Sequence, residues 1–126
     1  MTRFGYTLMT EQSGPRDLVR YAVAAEETGF DFEVMSDHYS PWLTEQGHAP
    51  YAWTTLGAVA HATERVGLMT FVTCPTLRCH PAVVAQKAAT LQILAEGRSA
   101  RSSGCIRSES SFDRSQRRDG GHHPLR

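Results

Sequence analysis

Apolar and polar positions change their spacing several times along the chain, and each change marks an element. Aromatic and β-branched residues cluster from Arg3 to Leu8 ahead of a polar turn, which predicts a first strand. Gly14-Pro15 then opens a helix, with proline where its missing N–H costs nothing. From Arg16 to Thr28 the residues Leu18, Val19, Ala22, Val23, Ala24 and Ala25 form an apolar flank, and Arg16, Arg20, Glu26 and Glu27 a wetter one, until Gly29 stops the helix. Phe30 to Met35 is a second apolar strand. It runs into a polar and aromatic loop from Ser36 to about Tyr51. Strand-to-helix connections are usually about two to six residues, so the excess length points to a functional insert over a pocket.

Trp53 to Thr63 predicts a second helix, with Leu56, Val59 and Ala60 on its buried side. Val66 to Val72 is nearly continuous in apolar residues, as expected of a strand buried on both faces. After a loop from Thr73 to His80, Pro81 to Leu94 predicts a third helix with Val84, Ala88, Leu91 and Ala95 on one face, Val83 and Leu94 beside them, and Gly97 as its C-cap. Strand followed by helix, three times over, implies parallel strands with right-handed crossovers, as in a TIM barrel or a doubly wound sheet. A dinucleotide enzyme would carry a glycine-rich turn after the first strand. Thr7-Leu8-Met9-Thr10-Glu11-Gln12 stands there instead, and there is no P-loop, so the barrel is the better fold.

Beyond Gly97 the pattern fails. Ile106, Phe112 and Leu125 are the only sizeable apolar residues among many serines, arginines and glycines, so residues 98–126 are expected to be a disordered tail. Charge divides at the same place. Residues 1–97 carry six basic and ten acidic residues and the remainder seven and three, so the overall charge of zero is a cancellation. No coherent basic face supports a nucleic-acid partner, and no apolar run is long enough for a signal peptide or a membrane span. With three cysteines in no close ligand pair, free thiols in a cytoplasmic protein are the plain expectation.

The chemistry concentrates in the loop after the second strand. Asp37-His38 lies where an α/β enzyme holds ionisable groups over a pocket, and an imidazole can move a proton beside a carboxylate that orients it or holds a ligand. Turn and cap roles account for the same dipeptide. Tyr39, Trp42, Tyr51 and Trp53 offer an aromatic wall for a flat heterocycle or sugar, or simply pin the loop. Thr70 to Thr76 sets small polar side chains at a strand's carboxyl edge, suited to a cofactor ring or phosphate. Cys74 has no histidine placed by sequence to activate it, and a buried thiol is the simpler role. His38, His48, His61, His80, His122 and His123 lack metal-ligand spacing, so no metal is expected.

Five segments, in order, carry a resemblance: Ala24 to Asp31, Ser36 to Trp42, Thr63 to Leu68, Cys74 to Arg78 and Pro81 to Gln86. From Phe4 to Gly97 the chain resembles the luciferase-like family of TIM-barrel oxidoreductases, in the branch that uses the deazaflavin coenzyme F420 and includes F420-dependent glucose-6-phosphate dehydrogenases. The resemblance implies the first three βα units of a (β/α)8 barrel, over residues 1–97, and hydride transfer between a small organic substrate and F420. It implies that Asp37 contacts the deazaflavin, that His38 lies beside the reacting carbon as the catalytic, proton-handling residue, and that Trp42 helps close the substrate pocket. It places a non-proline cis peptide at Phe71-Val72, backing the coenzyme ring, with Thr73 as a following contact. A homodimer is usual at full length. An FMN-dependent luciferase-like monooxygenase is the alternative enzyme, and a truncated, non-catalytic fragment the alternative class. In the family a fourth strand and a glycine-rich turn bearing a glutamate follow Gly97-Arg98. Their absence from residues 99–126 leads us to expect an out-of-frame tail and a chain that is poorly stable and without turnover.

Overall fold

A computed structural model describes residues 1–74 and 78–100. The elements are β1 (Gly5–Leu8), α1 (Pro15–Thr28), β2 (Phe32–Met35), α2 (Ala52–Ala62), β3 (Gly67–Thr70), α3 (Pro81–Leu94) and β4 (Ser99–Ala100). All three helices lie where the periodicity placed them. The strands are trimmed to those residues that find a ladder partner.

The strands form one parallel sheet in the order β1-β2-β3-β4. The described residues thus form three βα units of a partial TIM barrel followed by the start of a fourth strand, in an open sheet. Arg98, Ser99 and Ala100, past the boundary expected at Gly97, still contact the sheet. Leu68 donates its N–H to the Arg98 carbonyl at 3.1 Å, and Ser99 and Ala100 pair with Leu68 and Met69. The Arg98 guanidinium donates to the carbonyls of Val66 at 2.8 Å, Thr63 at 2.9 Å and Ala60 at 3.1 Å, capping the end of α2. The disorder expected of the tail falls, for residues 101–126, outside the described residues.

Strand side chains alternate between two faces, and among the described residues only one face is covered. Leu8, Met35 and Leu68 meet Leu18 and Ala22 of α1, Leu56, Val59 and Ala60 of α2 and Leu91 of α3 in a single core. On the other face Thr7, Val34 and Met69 lie side by side across the register, the first exposed and the others half-buried. That face becomes the interior when a barrel closes. The expectation that the third strand is buried on both faces therefore fails at Gly67 and Met69, which are half-buried because no described element packs over them. Phe32 spreads its ring over Gly5, where a Cβ would lie 2.2 Å from a ring carbon and would force the ring aside.

Helix ends follow their local chemistry. Gly29, at φ 101°, donates its N–H to the carbonyls of Ala25 and Glu26, and Phe30 donates to Ala25, closing α1. The Glu26 carboxylate accepts the backbone N–H groups of Glu64, Arg65 and Val66 at 2.9, 2.6 and 2.8 Å, tying α1 to the turn before β3. On α3, Ala88 and Leu91 are buried, as is Ala95 just after it, but Val83 and Leu94 are exposed rather than packed beside them. The α3 stop is the Ala95 cap, and Gly97 follows at φ 85°.

One core residue contradicts the usual division of polar and apolar. Glu33 is fully buried in the row between Tyr6 and Leu68, and neither of its carboxylate oxygens has a hydrogen-bond partner among the described residues. Burial pushes its pKa up to about 7, the charge of Glu26 adds to the shift and Arg98 opposes it.

Candidate active site

Three loops leave the carboxyl ends of β1, β2 and β3, and a parallel sheet brings those ends together. The first supplies Thr10 and Glu11, the second Ser36, Asp37 and His38, the third Thr73, Cys74 and Arg78. Thr10 and Ser36 lock the first two loops: Thr10 N donates to Ser36 Oγ at 3.1 Å, and the two hydroxyls are 2.8 Å apart. Ser36 Oγ donates in turn to Glu11 Oε2 at 3.0 Å.

Asp37 is 3% exposed and held from three sides. Thr73 Oγ1 donates to its Oδ2 at 2.7 Å, Trp53 Nε1 to the same oxygen at 3.2 Å, and the Arg78 guanidinium pairs with Oδ1 at 3.0 Å while also reaching the Asp37 carbonyl. Thr70 Oγ1 lies 2.9 Å from Thr73 Oγ1, so the Thr73 hydroxyl sits between Asp37 and Thr70. A carboxylate oxygen has room for two donors, so Oδ1 keeps capacity for one more.

His38 is contacted through one nitrogen by two groups. Trp42 Nε1 donates to Nδ1 at 2.9 Å, and Glu11 Oε1 also lies against Nδ1. One nitrogen cannot accept the indole proton and donate to a carboxylate in the same state. With the proton on Nδ1 the ring pairs with Glu11, and with it on Nε2 the ring accepts from Trp42. Glu11 is 2% exposed and its Oε1 has no hydrogen bond of its own, so the first arrangement is the one that satisfies a buried carboxylate.

Asp37, His38 and Thr73 converge on the wall of a cavity of about 460 Å³, together with Tyr39, Tyr51 and Trp53. Trp42 reaches His38 but does not line this cavity, nor do Phe71 and Val72. The Phe71-Val72 peptide bond is cis, at the position the resemblance implied. Thr73 follows it, buried, while Phe71 is exposed. Cys74 is buried on the cavity wall. Two participants escaped the sequence. Glu11 sits in the first loop, at the same strand-end position that singled out Asp37; applying that criterion to every strand finds it. Arg78 carries no such signal, because its pairing with Asp37 exists only in the fold. No helix among the described residues is long and apolar enough to cross a membrane.

The model of the luciferase-like monooxygenase family matches residues 1–111. The F420-dependent glucose-6-phosphate dehydrogenase of Beutenbergia cavernae is 56% identical over 98 residues, and that of Amycolatopsis mediterranei 52% over the same length, covering in each case 78% of this chain. The chain spans 29% of the length of those relatives. A solved F420-dependent secondary alcohol dehydrogenase, in complex with an F420-acetone adduct, superposes with a TM-score of 0.79 and 39% identity over 82% of this chain and 31% of that one. The chain belongs to the luciferase-like monooxygenase family, in the branch of its F420-dependent relatives.

Proposed function

We propose that the protein is an oxidoreductase that moves a hydride between a small organic substrate and the deazaflavin coenzyme F420, and that this chain supplies the wall against which the ring binds. The observation that carries this is the meeting of Asp37, His38 and Thr73, from two separate loops, on one cavity at the carboxyl edge of the sheet. The cavity volume lies within the range of about 300 to 1,000 Å³ usual for small-molecule sites. Its residues suit a flat, polar-edged ring: aromatic faces from Tyr39, Tyr51 and Trp53, and a polar edge from Asp37 and Thr73.

When bound, the deazaflavin supplies the hydride acceptor or donor. The chain's own residues do the rest. Asp37, fixed by Arg78, Thr73 and Trp53, offers Oδ1 to an N–H of the ring. Thr73 holds that carboxylate in place. His38, with Nδ1–H on Glu11, presents Nε2 as the atom that takes up or returns the substrate's hydroxyl proton, and the Glu11 carboxylate stabilises the imidazolium so formed. Glu11 is thus a positioning residue for His38. Trp42, packed edge-on to the imidazole with ring centres 5.2 Å apart, covers it from the substrate side.

Binding is the appropriate readout for this chain. Titrating it into F420 while following the coenzyme's fluorescence is expected to give saturable but weak binding. FMN should bind less well, and Asp37→Ala should lose at least tenfold in affinity. No change in the F420 signal, or equal binding of FMN, overturns the proposal.

A further inference from the structure

Lys87 on α3 directs its ammonium at the sulfur of Cys79, Nζ donating to Sγ at 3.1 Å, and the same nitrogen lies 4.8 Å from the centre of the Tyr51 ring. Cys79 and Lys87 are both half-buried, and both line the cavity of about 460 Å³. Lys87 makes no carboxylate pair among the described residues, whose ion pairs are Arg20–Asp17, His38–Glu11 and Arg78–Asp37. Burial works against its charge, but the contacts with Tyr51 and Cys79 outweigh this and hold the ammonium form more firmly than usual. The proposed hydride transfer uses neither residue. Their pairing is a nucleophile beside a proton donor, at a cavity small molecules can enter.

We propose that Cys79 and Lys87 form an oxidant-responsive pair, which a peroxide converts into a covalent sulfur–nitrogen cross-link. The thiol first gives its proton to solvent. The thiolate attacks one peroxide oxygen, the O–O bond breaks, and Lys87 protonates the departing hydroxide, leaving a sulfenic acid, one water and a neutral amine. That amine attacks the sulfenic sulfur, the S–N bond forms, the S–O bond breaks, and the hydroxide leaves as a second water with a proton from the nitrogen. Sulfur is oxidised by two electrons and the peroxide is reduced to water. The product removes a cation and a thiol from the cavity wall and joins the residue preceding the His80 cap of α3 to the helix's second turn. It is independent of the hydride-transfer proposal, since neither F420 nor turnover enters it.

The test is peptide mass spectrometry of the full chain after mild hydrogen peroxide, with remaining thiols blocked before trypsin. The cross-link predicts residues 79–98 as one peptide uncut after Lys87, two hydrogens lighter than the unoxidised stretch, and returned to normal cleavage by a thiol reductant. Lys87→Arg should instead leave Cys79 as a sulfenic acid that a dione probe traps. Normal cleavage after Lys87 in the oxidised chain overturns the proposal, whether Cys79 is then found unlinked or in a disulfide with Cys74 or Cys105.

Discussion

Asp37 and His38 are neighbours in sequence but are held by different parts of the fold. Asp37 is fixed by Thr73 and Arg78 from the third loop, and His38 faces Glu11 from the first. The dipeptide and its aromatic company were legible because a strand end followed by a long loop is a local pattern. The partners were not, because what joins them is strand pairing across more than twenty residues. Glu33 was equally hidden: a glutamate in an otherwise apolar strand gives no sign that its row faces the core. Its raised pKa has a consequence for stability. Below the ordinary value of 4.5 the folded and unfolded chains both hold the proton; between there and about 7 the folded chain binds more, so stability falls as pH rises, and above about 7 it is level. Glu33→Met removes that fall. Urea unfolding should show the variant gaining about 3 kcal/mol over the parent between about pH 4 and about pH 8; parallel pH profiles for the two contradict it.

The helices were legible from periodicity and from Pro15, Gly29 and Pro81 at their ends, because those signals are local. The β4 strand was not: two residues hold no period, and Ser99-Ala100 is extended only because β3 offers a ladder and Arg98 anchors the turn before it. Arg98→Ala strips donors from the carbonyls of Ala60, Thr63 and Val66 and should cost about 2 to 3 kcal/mol, read as a lower urea midpoint. The junction of α1 with the α2–β3 turn has its own pH dependence, of opposite sign to that of Glu33. Burial would raise the Glu26 pKa, but the N–H groups of Glu64, Val66 and Arg65 and the Arg65 charge outweigh it and leave it lowered. Its contribution is therefore present above the unfolded value of 4.5 and lost as pH falls through the folded one. Glu26→Gln should destabilise at neutral pH by about 1 to 2 kcal/mol and by less in acid, which thermal melts at the two pH values will register.

Taken together, the described residues form an open sheet with one bare face and two unpaired edges, flanked by exposed Ile93 and Leu94 on α3. Such edges and apolar surfaces favour association. Sedimentation velocity should show mass rising with concentration, and Ile93→Lys should reduce it without loss of helical circular dichroism; a monomer at every concentration contradicts this. The barrel class was legible because three strand-helix repeats with no glycine-rich turn leave few alternatives. A pocket under the long loop was expected; that Val84 and Lys87 of α3 wall it was not, because no local pattern encodes how α3 meets the loops. The chain's two tryptophans test the site, one packed edge-on against His38 and the other bonded to Asp37. In a two-dimensional NMR titration with F420, both indole N–H signals should move together with saturation while the amides of α1 stay in place, and FMN should move them less. Indole signals that stay fixed as F420 is added, or that follow FMN equally well, contradict the account.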